Sequence, residues 1–242
     1  FSSFHPQDGK FKKLLRYNII KMKNAVVIGG NGGVGSELVN ALKNKGYNVV
    51  SITRTECDLT NYKQIKKSIS KIKKDFKNIG LLVNAAGIAT YKNLTEVSDE
   101  DLQNSFMVNT ITPAIFIREL APLMNGKDSL VLNIGSGAGV IPMKGRSVYC
   151  ATKYALRGLT LSLAEEYEGR NPKFCLITLG STLTNFGPMT IEEKKKEFEK
   201  GKAYFPVEFV VEKLIGIIMN DKRENEITLF PGNHGFGTWK KP

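Results

Sequence analysis

The sequence predicts an α/β fold, a single doubly wound domain with a mainly parallel central sheet, and three observations carry that expectation. Short apolar runs alternate with segments of helical period from Asn24 to Leu229, as they do when strands are covered on both faces by their connecting helices. The chain has 242 residues, enough for one large core. A cluster of glycines stands between the first apolar run and the first amphipathic segment.

Residues 25–28 read as a buried strand, followed by the glycine cluster and a helix that carries Leu38 and Leu42 on one face and stops at Gly46. Residues 49–52 form the next strand. After Asp58, apolar Ile65, Ile69, Ile72 and Phe76 recur at spacings of 4, 3 and 4, which predicts a helix over 61–77. Residues 81–83 read as a strand. Ser98, with Glu100 and Asp101 behind it, opens a long helix to about Leu123, its acids in the first turn where the helix dipole favours them. Strands at 130–134, 174–179 and 227–229 and helices at 147–168 and 207–219 complete the alternation. The charged run from Glu192 to Lys202 reads as a solvated helix within an insertion.

Composition narrows the function classes. No apolar run reaches the roughly 18 to 20 residues of a membrane-crossing helix, so no membrane partner is expected. Cys57, Cys150 and Cys175 form no close pair, which suits a reducing, cytoplasmic setting. The histidines, His5 and His234, stand near opposite ends and give no zinc-ligand spacing, so no metal is expected. The 35 Lys and Arg exceed the 23 Asp and Glu by a formal net charge of +12, which attracts nucleic acid, an acidic surface or a phosphate-rich cofactor. Because the lysines are scattered, they read as a solvated surface, and no nucleic-acid partner is expected. Residues 1–21 mix apolar and basic side chains without joining the pattern, and read as an appended or locally packed extension in preference to a targeting segment. Met22, just before the first strand, reads as a natural start to a single domain over 22–242.

The glycine run is Ile28-Gly29-Gly30-Asn31-Gly32-Gly33-Val34-Gly35. Between a strand and a helix, missing side chains allow a tight turn and let backbone N–H groups approach a pyrophosphate, which predicts a dinucleotide site at Gly29, Asn31, Gly33, Val34 and Gly35. The spacing is G-x3-G-x-G, and it resembles the glycine motif of the short-chain dehydrogenase/reductase family. Further motifs extend the resemblance. Asn84-Ala85-Ala86-Gly87 is similar to the family's N-N-A-G, Tyr149-x3-Lys153 to its catalytic pair, and Ser136, 13 residues before Tyr149, to its serine. Asn109 matches the asparagine of the long preceding helix, Asp58-Leu59 the adenine-contacting pair, and Thr184 a threonine near the cofactor phosphates. Tyr-x3-Lys alone says little, since it also occurs at Tyr17/Lys21 and Tyr62/Lys66.

The resemblance implies a Rossmann-like domain, a nicotinamide cofactor, a small carbonyl or alcohol substrate, and a homodimer or homotetramer formed through the helices at 98–123 and 147–168. It implies that Tyr149 exchanges a proton with the substrate oxygen, that Ser136 bonds the same oxygen, that Lys153 assists the phenolate and contacts a ribose, and that Asn109 holds a water on the proton path. The residue types fit, because a free tyrosine is a poor base near neutral pH and a nearby ammonium favours its phenolate. At the end of the second strand an acid would favour NAD(H) and a basic residue NADP(H). Thr53-Arg54 stands there, so NADP(H) is preferred, with Glu56 the one acid that keeps NAD(H) in play. The chain departs from the family by shortening the region between Arg54 and Asp58, so that the third strand is short, and by placing Leu179 and Thr182 where Pro and Val/Ile are usual.

The expected activity is that of a 3-oxoacyl-reductase-like or general ketone reductase. Residues 185–206 are expected to form a substrate lid, with Phe186, Met189, Phe198, Tyr204 and Phe205 either facing the substrate or packing the lid to the body. A non-catalytic NADP-binding regulator is the alternative. An epimerase of the extended branch fits poorly, because only 58 residues follow Thr184.

Overall fold

Six parallel strands form one sheet in the order β2-β1-β3-β4-β5-β6 in the computed structural model, which describes residues 23–238. The strands are β1 Asn24–Ile28, β2 Asn48–Ile52, β3 Leu81–Asn84, β4 Leu130–Ile134, β5 Lys173–Leu179 and β6 Glu226–Leu229. The helices are α1 Gly33–Asn44, α2 Tyr62–Asp75, α3 Asp99–Phe106, α4 Thr112–Leu120, α5 Ser147–Glu166, α6 Ile191–Glu199 and α7 Val207–Met219. The expected extension over 1–21 lies outside the described residues. No described helix is long and apolar enough to cross a membrane.

Alternate residues of each strand serve opposite faces of the sheet. On one face Ala25, Val27, Leu81, Val83, Leu130 and Leu132 pack against Leu38 and Leu42 of α1 and Val210 and Leu214 of α7. On the other Val26, Ile28, Leu82 and Val131 pack against Ile65, Ile69 and Ile72 of α2 and Phe116, Ile117 and Leu120 of α4. The predicted spacing of α2 is thus its buried stripe, and Asn61 caps it by accepting from the N–H groups of Lys63 and Gln64.

Two elements differ from expectation. No strand forms between β2 and α2 among the described residues. The nine residues from Thr53 to Asn61 hold instead a turn in which the N–H groups of Glu56 and Cys57 donate to the Thr53 carbonyl, so β2 is the sheet edge. The long helix from Ser98 is also interrupted. Ser98 caps α3 in a capping box with Asp101, but residues 107–111 form a π turn before α4. Pro113 has no N–H to give the Asn109 carbonyl four residues back, so the ordinary helical bond cannot form there.

Candidate active site

Because all six strands are parallel, their C-terminal ends open on one edge, the usual place for a ligand in such sheets. The loops that leave β1, β2, β3, β4 and β5 line a single cleft of about 1360 Å³, larger than the few hundred to 1,000 Å³ of ordinary ligand pockets. Of the residues singled out in the sequence, Gly29, Asn31, Gly33, Val34, Gly35, Arg54, Asp58, Leu59, Ala85, Ala86, Gly87, Ser136, Tyr149, Lys153 and Thr184 line it. Asn84 and Asn109 do not.

The glycine loop is shaped by contacts that only glycine permits. Gly29 has φ +87°, and a Cβ there would lie 2.5 Å from the Ala86 nitrogen. A Cβ on Gly35 would lie 2.2 Å from the Gly29 carbonyl oxygen. Helix α1 follows Gly32, which offers no side-chain cap, and has no acid in its first turn, which leaves its N-terminal N–H groups and positive dipole end open to an anion. The Thr184 methyl sits against Gly33, which ties the loop after β5 to this cradle.

At the β2 end, Arg54 is exposed beside the cleft, while the Glu56 carboxylate is engaged by the Thr53 N–H at 3.0 Å and hydroxyl at 2.9 Å. The Thr60 N–H and hydroxyl bond the Asp58 carboxylate and hold it below the usual carboxylate range.

Tyr149 is buried at 5% exposure, and burial pushes its phenol well above the ordinary tyrosine value, with the nearby Ser136 hydroxyl and the Arg146 charge opposing the rise. Lys153 stands near the same phenol but bonds elsewhere. The Lys153 Nζ stands 5.9 Å from the Tyr149 ring centroid and donates to the Ile134 carbonyl at 3.0 Å, and burial lowers its own pKa to about 8.

Asn109 sits in the π turn and acts on backbone. Its Oδ1 accepts from the Ile88 N–H at 2.9 Å, and its Nδ2 donates to the Ile88 carbonyl at 2.8 Å and the Thr152 hydroxyl at 3.0 Å. It therefore clamps the loop after Gly87 to α5 next to Lys153. Asn84 lies beneath the site, donating to Asn133 Oδ1 at 2.7 Å, while Asn133 donates to the Thr160 hydroxyl at 2.8 Å. The Asn84 Oδ1 is buried with no partner among the described residues.

The loop after β5 keeps its place without the family's proline. Gly180 donates to the Leu229 carbonyl at 2.7 Å and lies against Pro231, while Phe205 donates to the Ser181 carbonyl at 2.8 Å and accepts from the Leu183 N–H at 2.9 Å. Within 185–206, Phe186, Met189 and Tyr204 line the cleft, whereas Phe205 is fully buried against Phe209 and Phe236 and Phe198 is absent from the lining. The reading of 192–202 as solvated needs correction at Lys194. This side chain is buried, and its ammonium donates to the Thr184 carbonyl at 2.6 Å and the Phe186 carbonyl at 2.5 Å. The sequence reading also missed Tyr91, whose ring stacks on Tyr149 at 6.3 Å between centroids, and Arg146, which lies over Tyr91. Both stand on loops without periodic pattern, and only their positions, four residues after Gly87 and three before Tyr149, hinted at the site.

Comparisons with known proteins agree with this architecture. The family described as short chain dehydrogenase matches residues 51–195, well over half of the chain. Carbonyl reductase family member 4 of Danio rerio is 29% identical over 188 residues, which cover 70% of this chain and 79% of the relative. Human dehydrogenase/reductase SDR family member 11 is 30% identical over 170 residues, 59% of this chain and 65% of the relative. The matched regions span from 56% to 79% of the first four relatives. Among solved structures, 4-hydroxyisoleucine dehydrogenase complexed with NADH aligns with TM-score 0.78 at 21% identity, over 86% of this chain and 97% of that one. The ligand-free aldohexose dehydrogenase of Thermoplasma acidophilum aligns with TM-score 0.77 at 23% identity, over 93% and 99%. These likenesses show the fold, and the family match over residues 51–195 shows that the chain belongs to the short chain dehydrogenase family.

Proposed function

We propose that the chain is an NADP(H)-dependent reductase that interconverts a carbonyl and a secondary alcohol, 3-oxoacyl-reductase-like or a general ketone reductase. The observation that carries the reading is the convergence of Ser136, Tyr149 and Lys153 on the cleft that the glycine loop also lines. The cradle at Gly29 and Gly35 and the uncapped start of α1 fit a pyrophosphate. Arg54 beside the cleft, with Glu56 turned onto Thr53, supports NADP(H) over NAD(H), because a guanidinium pairs with a 2′-phosphate and a carboxylate repels it. Two relatives point the same way by name, the carbonyl reductase of Danio rerio and the 3-oxoacyl-[acyl-carrier-protein] reductase of Mus musculus, the latter 24% identical over 74% of this chain.

A reduced nicotinamide bound in the cleft supplies the hydride. Tyr149, kept protonated by burial, gives its proton to the carbonyl oxygen, and Ser136 donates a hydrogen bond to that oxygen as charge develops. Lys153, its ammonium donating to the Ile134 carbonyl, would hold the ribose side of the cofactor and re-protonate the phenol through solvent. Residues 185–206 cover the substrate end, with Lys194 pinning them to the Thr184 loop. Exposed Leu102, Ile111 and Tyr154, on α3, the π turn and α5, support pairing of two copies through these helices, and three buried, unpaired cysteines support a reducing, cytoplasmic setting.

The test follows NADPH and NADH oxidation by absorbance with ketones, quinones, 3-oxoacyl thioesters and sugar aldehydes. Turnover that prefers NADPH supports the reading, and Arg54→Ala should raise the NADPH KM about 10- to 100-fold, as expected for one charged hydrogen bond, with little effect on NADH. Cofactor binding without turnover across the panel overturns the reductase reading in favour of a regulator.

A further inference from the structure

We propose that Arg146 selects substrates that carry an oxyanion, a carboxylate or a phosphate monoester, in addition to the carbonyl that is reduced. The inference deepens the reductase reading and rests on it. Arg146 immediately precedes α5, lines the cleft and is half-buried. Its guanidinium carbon lies 4.3 Å from the centroid of the Tyr91 ring, and Tyr91 stacks in turn on Tyr149 with an interplanar angle of 22°. The guanidinium is therefore fixed one aromatic ring away from the phenol that meets the carbonyl, and its orientation is set before any ligand arrives.

What it lacks is an oxygen partner. Its bond among the described residues is from one terminal nitrogen to the Met143 sulfur at 3.3 Å, which leaves most of its five donors unspent. Three other arginines are engaged: Arg157 grips both oxygens of Glu226 at 2.8 and 2.9 Å, Arg118 bonds Glu119, and Arg223 donates to the carbonyls of Ile217 and Ile218, while Arg54, at the β2 end of the cleft, is the one assigned above to the cofactor. Of the other cations near the reacting centre, Lys194 is committed to the carbonyls of Thr184 and Phe186, and Lys153 donates to the Ile134 carbonyl and is the one assigned above to the cofactor and the phenol. No acid among the described residues is paired with Arg146. Among the described residues the two carboxylates of the cleft lining are Asp58, held by Thr60, and Glu197, paired with Lys200 at 3.1 Å. Helix α5 adds neither an acid in its first turn nor a side-chain cap, so nothing there offsets the positive field. That field reaches the reacting centre, where it opposes the rise in the Tyr149 phenol. A planar fork with no oxygen partner among the described residues, beside a catalytic phenol, matches the two-oxygen edge of a carboxylate or phosphate.

The test compares paired substrates in the NADPH assay: a 3-oxo acid with its methyl ester, and a phosphorylated hydroxyketone with its unphosphorylated parent. Wild type should prefer the anionic member at least tenfold in kcat/KM, and the better of the two anions identifies the group. Arg146→Met should lose at least ten times more kcat/KM on the anion than on its neutral partner, chiefly through KM. Arg146→Lys, which keeps the charge but not the fork and spares the fold, should lose the preference severalfold. Equal wild-type rates on the paired substrates, or equal losses on both in either variant, overturn the proposal and leave the reductase reading intact. Absence of NADPH oxidation with every carbonyl overturns both.

Discussion

Burial sets the two central ionisable groups in opposite directions. The Tyr149 phenol is raised, so it stays protonated through the neutral range, the form that donates to a carbonyl. Lys153 falls to about 8 from an ordinary 10.5. Folded protein thus releases this proton at lower pH than unfolded protein does. The destabilisation is fully present below about pH 8 and is relieved as pH rises toward 10.5. Lys153→Met should therefore raise stability at pH 7 by about 1 to 3 kcal/mol, with the gain shrinking by pH 10, while turnover is lost. Denaturant melts at both pH values check this, and a variant less stable than wild type at pH 7 contradicts it. The kcat/KM for reduction, which reports the free enzyme, should decline as pH rises through about 8, and a profile flat to pH 10 contradicts the role given to Lys153. At this scale the sequence revealed the residues that stand in ordered motifs, Ser136, Tyr149 and Lys153. It concealed Tyr91, Arg146 and Lys194, because the contacts of Tyr91 with Tyr149, of Arg146 with Tyr91 and of Lys194 with Thr184 arise only when separate segments meet.

Among the elements, the interruption after α3 matters most to the site. A continuous helix would commit the backbone around Asn109 to regular bonding, whereas the π turn presents the Asn109 amide to Ile88 and Thr152. Asn109→Ala leaves the Ile88 N–H and carbonyl without their side-chain partners, and should cost roughly 2 to 4 kcal/mol in denaturant melts. A cost below about 0.5 kcal/mol, the size of a neutral surface change, would show that the clamp does not hold the loop. Helix α2, with its regular Ile65, Ile69 and Ile72 and its Asn61 cap, was legible to within two residues, and so was the Ser98 cap of α3. The π turn was not, because apolar spacing and capping signals read as one continuous helix across residues 98–123. The region after β2 was legible as short, but its sequence carries no separate signal that a turn replaces the strand altogether.

For the molecule as a whole, the order β2-β1-β3-β4-β5-β6 with all strands parallel gathers five loops on one edge, so motifs more than 150 residues apart in the chain become neighbours, as Gly33 and Thr184 do. The parallel sheet followed from strand–helix alternation, whereas the strand order and the split of residues 185–206 between cleft and body depended on packing that periodicity does not encode. The exposed apolar side chains of α3, the π turn and α5 lead to the expectation of a dimer or tetramer in sedimentation equilibrium, and a monomer at all concentrations contradicts pairing through them. The central claim is that Tyr149 is the proton donor of a carbonyl reduction at this cleft. The most direct measurement compares wild type with Tyr149→Phe for NADPH oxidation on a carbonyl that wild type turns over, with the NADPH-induced rise in melting temperature recorded for both. The account predicts equal thermal shifts and a rate lower by about 10²- to 10⁴-fold in the variant, the range of a lost general acid. Undiminished turnover by Tyr149→Phe would contradict it.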